Sequence, residues 1–167
     1  MILGIDPGLA NTGWALVERT GSRLLVRDCG TLTTKPRTDH VERLRILFDG
    51  IGEIVSAGGV TGAAIESWFV HPVSTSAMGV AEARGAVLVA VASAGVEVVE
   101  YPPTEIKAAV TGSGRADKRQ IRLMVERLTG AAPATDHAAD AVAAAICHLH
   151  RAPLQAAVRA GIAGRGR

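Results

Sequence analysis

A chain of 167 residues that is 48% hydrophobic has the apolar content for one compact domain with a sizeable core. No apolar run reaches the roughly 18 to 20 residues needed to cross a membrane free of charge or Gly. With no basic n-region and following apolar h-region at the start, no secretory signal is expected, and with two cysteines, Cys29 and Cys147, that suggest no disulfide framework, a cytoplasmic protein with reduced thiols is expected. The net charge of +2 hides a split: residues 1–100 carry 8 Lys/Arg against 11 Asp/Glu, and residues 101–167 carry 10 against 5. The excess between Lys107 and Arg127 suits either a polyanion partner or a solvated helix face.

In chain order, Ile2 to Asp6 reads as a strand, followed by strands at Thr12–Glu18 and Arg23–Thr33 joined by a turn at Thr20, Gly21 and Ser22, which makes an antiparallel meander. From Asp39, the apolar residues Val41, Leu44, Leu47, Phe48, Ile51, Ile54 and Val55 recur at three- and four-residue steps. They predict an amphipathic helix capped by Asp39 and ended by Gly58 and Gly59. A strand runs into Glu66, and a loop with Trp68 and Phe69 follows. A helix over 74–94 is rich in Ala and Gly, which lets another backbone approach closely. The stretch from Gly85 to Val99, which comes nearest to a membrane-spanning run, is read as this buried helix followed by a strand at Val96–Tyr101. A short helix holds Ile106 and Val110, Asp117 caps the next helix, and the last runs from about Thr135 to His150. The domain is expected to span 1–150, with a flexible Ala/Gly/Arg-rich tail over 151–167. The strand and helix order fits an α/β fold with a mixed five-stranded sheet flanked by helices on both sides.

Three separated segments each bring an acidic or imidazole side chain to the end of an element. Asp6 ends the first strand before Pro7-Gly8, and Glu66 ends Ala63-Ala64-Ile65. Asp136, His137 and Asp140 open the last helix, where steps of three and four return to nearly one face. Hard divalent cations want a few carboxylate oxygens together with waters and substrate phosphates, so this pattern points to a metal-dependent nuclease. Each residue also has a plainer reading. An aspartate before Pro-Gly forms turns, Asp136 serves as a helix cap, and Lys107 and Lys118 taken singly are ordinary surface lysines.

Taken together, Gly4-Ile5-Asp6-Pro7-Gly8 with Thr12-Gly13, Ile65-Glu66 followed by Phe69, Ala83-Arg84-Gly85, Lys107, Lys118 and His137-Ala138-Ala139-Asp140-Ala141 resemble the RuvC family of bacterial Holliday-junction resolvases over residues 1 to about 150. The resemblance implies an RNase H-like fold and a homodimer that cuts four-way DNA junctions by symmetric paired nicks, leaving 5′-phosphate and 3′-hydroxyl ends. It also implies a branch-migration motor of the RuvA and RuvB type as partner. Asp6, Glu66, His137 and Asp140 are implied as ligands of two divalent cations, Mg²⁺ or Mn²⁺. Lys107, Lys118, Arg115 and Arg119 are implied as DNA contacts, and Phe69 as a base-stacking residue. The family more often has aspartate where His137 stands, and imidazole suits Mn²⁺ better than Mg²⁺. The small-residue helix over 74–94 is the expected dimer surface. Two alternatives stay open: a junction-binding protein that does not cleave, and an RNase H-like nuclease acting on ribosomal RNA precursors.

Overall fold

The structure, a computed structural model, describes residues 1–67 and 75–163. Strands β1 (Ile2–Asp6), β2 (Asn11–Thr20), β3 (Arg23–Thr33), β4 (Gly62–Glu66) and β5 (Val98–Tyr101) form one sheet in the order β3-β2-β1-β4-β5. The first three strands are the expected antiparallel meander. β4 lies parallel to both β1 and β5, so β1 and the Glu66 strand are neighbours at the centre.

Helices α1 (His40–Ser56) and α2 (Thr75–Ser93) cover one face, while α3 (Pro103–Thr111), α4 (Lys118–Thr129) and α5 (Asp136–Ala163) cover the other. Central strands therefore bury residues on both sides. Along β1, Leu3 and Ile5 join Leu16, Ile51, Ile65 and Val91 on the α1/α2 face. Ile2, Ala15, Val17 and Ala64 join the α3/α4/α5 core with Val125 and Ile146. The period-2 alternation sends the even-numbered side chains of β1 and β4, Asp6 and Glu66 included, to the α5 face.

Local chemistry sets several ends. Asp39 caps α1 by accepting from the backbone N–H groups of Val41 and Glu42, and Asp117 forms a reciprocal capping box with Gln120 at the start of α4. β5 begins at Val98 and not at Val96 because the Val96 N–H turns back to the Val91 carbonyl and closes α2. α5 continues through Ala163 and does not end near His150. Pro153 lies within it. Among the described residues no helix is long and apolar enough to cross a membrane.

Candidate metal-dependent active site

The site rests on an unusually close contact between helix and sheet. Asp6 on β1 stands opposite Gly13 on β2. A Cβ placed on Gly13 would fall 2.0 Å from the His137 carbonyl oxygen, and one on Gly4 would fall 1.9 Å from the Ala141 carbonyl oxygen. Only glycine tolerates such an approach of another backbone. The first two turns of α5 thus lie directly on β1 and β2, held from within by Ala138, Ala139, Ala141 and Val142, all buried. This seating brings the start of α5 over the end of β1.

Asp6, Glu66, His137 and Asp140 consequently line one cleft, together with Pro103, Ile106, Lys107, Lys118 and Ile121. The His137 Nδ1 bonds to Asp6 Oδ2 at 2.7 Å. Partial burial and then the neighbouring charges of Asp6 and Asp140 push the Glu66 carboxyl above the usual range, while Lys107 and Lys118 pull it down. Glu66 is exposed by surface area, being the outermost residue of β4, so these crowding effects act across a partly solvated cleft. Burial, followed by the Asp6 charge, pushes Asp140 up as well, with Lys118 opposing. The turn beyond Asp6 is fixed by Thr12, fully buried, whose hydroxyl donates to the Gly8 carbonyl at 2.8 Å and accepts from its N–H at 3.2 Å.

Asp136 is placed elsewhere. It forms a 3.1 Å ion pair with Arg122, which also donates to the Pro133 carbonyl at 3.3 Å, and it is not among the residues lining the cleft. Arg115, before α4, and Arg119, in its first turn, are exposed and likewise do not line the cleft. Phe69 and Trp68 lie outside the described residues.

Three carboxylates and an imidazole are a hard, oxygen-rich donor set whose like-charge repulsion Lys107 and Lys118 offset only in part, which suits a divalent cation. Among the described residues, however, no three such side chains are gathered closely enough to hold an ion as they stand; Asp6 is engaged by His137 instead. Holding a metal requires these side chains to turn in towards it.

The family model for crossover junction endodeoxyribonuclease RuvC matches residues 2–148. The chain belongs to the RuvC family. It is 45% identical over 155 residues to the RuvC of Roseiflexus sp. (strain RS-1), covering 91% of this chain and 92% of that one. It is 46% identical to the RuvC of Chloroflexus aggregans, covering 90% and 93%. The solved Thermus thermophilus RuvC in complex with a Holliday junction substrate superposes with a TM-score of 0.85 at 32% identity, covering 92% of this chain and 95% of that one. The yeast mitochondrial resolvase Ydc2, at 12% identity and a TM-score of 0.63, shares the fold. This RuvC-family protein is accordingly a nuclease of RNase H-like fold, in a family that depends on divalent metal.

Within that frame, sequence reasoning missed three contributors. Arg84 has no role in the reading of the sequence, although an arginine within a helix of mostly small apolar residues signals a partnered group. It is 9% exposed and donates to the Glu66 carbonyl at 2.7 Å. Thr12 and Arg122 carry no comparable signal, because their partners are set by tertiary packing.

Proposed function

We propose that this protein resolves four-way DNA junctions by paired, symmetric phosphodiester hydrolysis, with Asp6, Glu66, His137 and Asp140 as the ligands of two divalent cations, Mg²⁺ or Mn²⁺. The observation that carries this reading is the convergence of those four side chains in one cleft beside Lys107 and Lys118, in a family with a member solved on a Holliday junction. When bound, the cations supply Lewis-acid activation of water and neutralise charge on the leaving oxygen. The chain's own residues do the rest. Asp6, Glu66 and Asp140 offer ligand oxygens, and His137 offers a softer nitrogen that favours Mn²⁺. The two lysines lower the cost of deprotonating the crowded carboxylates and place positive charge where a DNA phosphate enters. Arg115 and Arg119 extend that charge across the surface, and Phe69 is assigned to stack on a base near the opened crossover.

Asp136 is held by Arg122 and is left out of the ligand set. A dead Asp136→Ala variant beside an active His137→Ala variant, each assayed in Mg²⁺ and in Mn²⁺, overturns that assignment. A homodimer supplies the two related sites that a twofold-symmetric junction needs. The exposed stripe of Met78, Gly85 and Val89 on α2 supports that helix as the interface. A Cβ on Gly85 meets nothing within 4 Å, so Gly85→Leu is expected to sediment as a folded monomer. Family membership makes a motor complex of the RuvA and RuvB type the proposed partner, and a cytoplasmic location follows from the same reading.

The deciding experiment incubates a labelled four-way junction with protein and Mg²⁺ or Mn²⁺ and maps the products. Paired nicks with 5′-phosphate and 3′-hydroxyl ends are expected. A retarded but uncut junction leaves only a binder, and cleavage of ribosomal RNA precursors with the junction untouched moves the protein to another RNase H-like activity.

A further inference from the structure

The end of β4 has a gap in its backbone pairing, and a side chain from α2 fills it. The N–H of Ala63 donates to Glu97 and that of Ser67 to Tyr101, so the odd-numbered residues of β4 bond towards β5. The even-numbered residues, Glu66 among them, turn their N–H and C=O towards β1. β1 and β4 pair in parallel up to Ile5 and Ile65. One residue further, the parallel pattern assigns the Glu66 carbonyl to the amide of Pro7, and proline has no N–H to give. The donor comes instead from Arg84, whose Nη1 lies 2.7 Å from the Glu66 carbonyl oxygen. The other guanidinium nitrogen, Nη2, is anchored 2.8 Å from Glu100 Oε1 on β5. A small cavity lined by Asp6, Pro7, Glu66, Ser67, Val80 and Arg84 opens beside the strand end. The Ser67 hydroxyl has no hydrogen-bond partner among the described residues.

We infer that Arg84 is a positioning residue for the metal site. Its planar fork replaces the ladder hydrogen bond that Pro7 removes and joins β4, β5 and α2 at one point. The Glu66 carboxylate is thereby held on the α5 face against the repulsion of Asp6 and Asp140. Its role in this inference is through the backbone of a ligand, by the bond to the Glu66 carbonyl, and not by contact with substrate or cation. The inference rests on the reading of Glu66 as a metal ligand.

The test is Mn²⁺ binding to the full-length protein without DNA, followed by electron paramagnetic resonance, with thermal unfolding of the metal-free protein alongside. Arg84→Ala is expected to weaken Mn²⁺ binding by about 10-fold or more, the usual scale for losing a group that orients a ligand. Arg84→Lys, which keeps the charge but cannot hold both partners, falls between it and the wild type. If Arg84→Ala fails to fold, Arg84→Lys decides alone. Binding within about twofold of wild type in the folded Arg84 variants, while Glu66→Gln loses Mn²⁺, overturns the positioning role. Unchanged binding in Glu66→Gln itself overturns the underlying ligand assignment instead.

Discussion

The two faces of the central sheet are packed by different means. On the α1/α2 face, Leu3, Ile5, Leu47, Ile51, Ile65 and Val91 fill the space with large aliphatic side chains. On the opposite face, α5 reaches the sheet through Gly4, Gly13 and a run of buried alanines, so that backbone meets backbone. Side-chain packing stabilises but tolerates small shifts by repacking, whereas a contact between main chains fixes one geometry. The face that brings Asp6, Glu66, His137 and Asp140 to one cleft uses the second kind of contact. The same strands, alternating by parity, thus bury core residues on both sides and bring Asp6 and Glu66 to the α5 face only at the ends of β1 and β4.

The sharpest way to break this comparison is to remove donors. Asp6→Asn is expected to lower junction cleavage by about 10³-fold or more, because the electrostatic stabilisation a bound cation gives is worth several kcal/mol. Unfolding and junction retardation in Ca²⁺ remain near wild type. If Asp6→Asn cuts at more than a tenth of the wild-type rate, the cleft is not the reaction centre.

The next largest effect tests the contact itself. Gly13→Ala drives a methyl group to 2.0 Å from the His137 carbonyl, a backbone atom that moves only if α5 moves. Displacing α5 by about an ångström costs roughly 10²-fold in cleavage on the scale of misplaced catalytic geometry. The methyl also lowers stability by about 1–3 kcal/mol as an overpacked contact. Ile51→Ala on the other face is the matched control: it is expected to destabilise by about 2–5 kcal/mol through the cavity it leaves. The folded fraction retains wild-type cleavage per molecule. Equal losses of specific activity in the two variants, with matched denaturant curves, dissolve the distinction between the faces.

Much of this organisation was legible in the residues. The three- and four-residue spacing from Val41 to Val55 and the Asp39 cap pointed to α1, and Asp6 and Glu66 were legible as carboxylates at strand ends, while the face they share shows only in the register of β1 and β4. The meander followed from turn residues between apolar runs. Less visible were features that depend on a distant partner. A glycine in a strand reports that a side chain is missing, not which helix takes its place. The attraction of Asp136 to Arg122, fourteen residues earlier, reads in sequence only as one more charge. The length of α5 past His150 was hidden because an Ala/Gly/Arg-rich composition looks disordered until the first half of the helix is anchored on the sheet.

The smallest expected effect concerns pH and the metal-free protein. Burial and the Asp6 charge raise the Asp140 carboxyl, so the folded state holds that proton more tightly than the unfolded chain does. For such a group the stabilising contribution is present below the ordinary carboxylate range and is lost as pH rises through the raised folded value. At neutral pH the ionised carboxylate is a cost to the fold. Asp140→Asn removes that cost, and in a half-buried, partly screened site it is expected to raise the metal-free Tm by only about 1–2 °C. Mn²⁺ then raises the Tm of the wild type but scarcely that of the variant, since only the former binds it well in the folded state. The two proteins converge as the pH is lowered through the carboxylate range, because protonation neutralises Asp140 as the asparagine does. A variant less stable than wild type at neutral pH, or a gap that widens on acidification, places Asp140 in a stabilising ion pair and not in a cluster of repelling ligands.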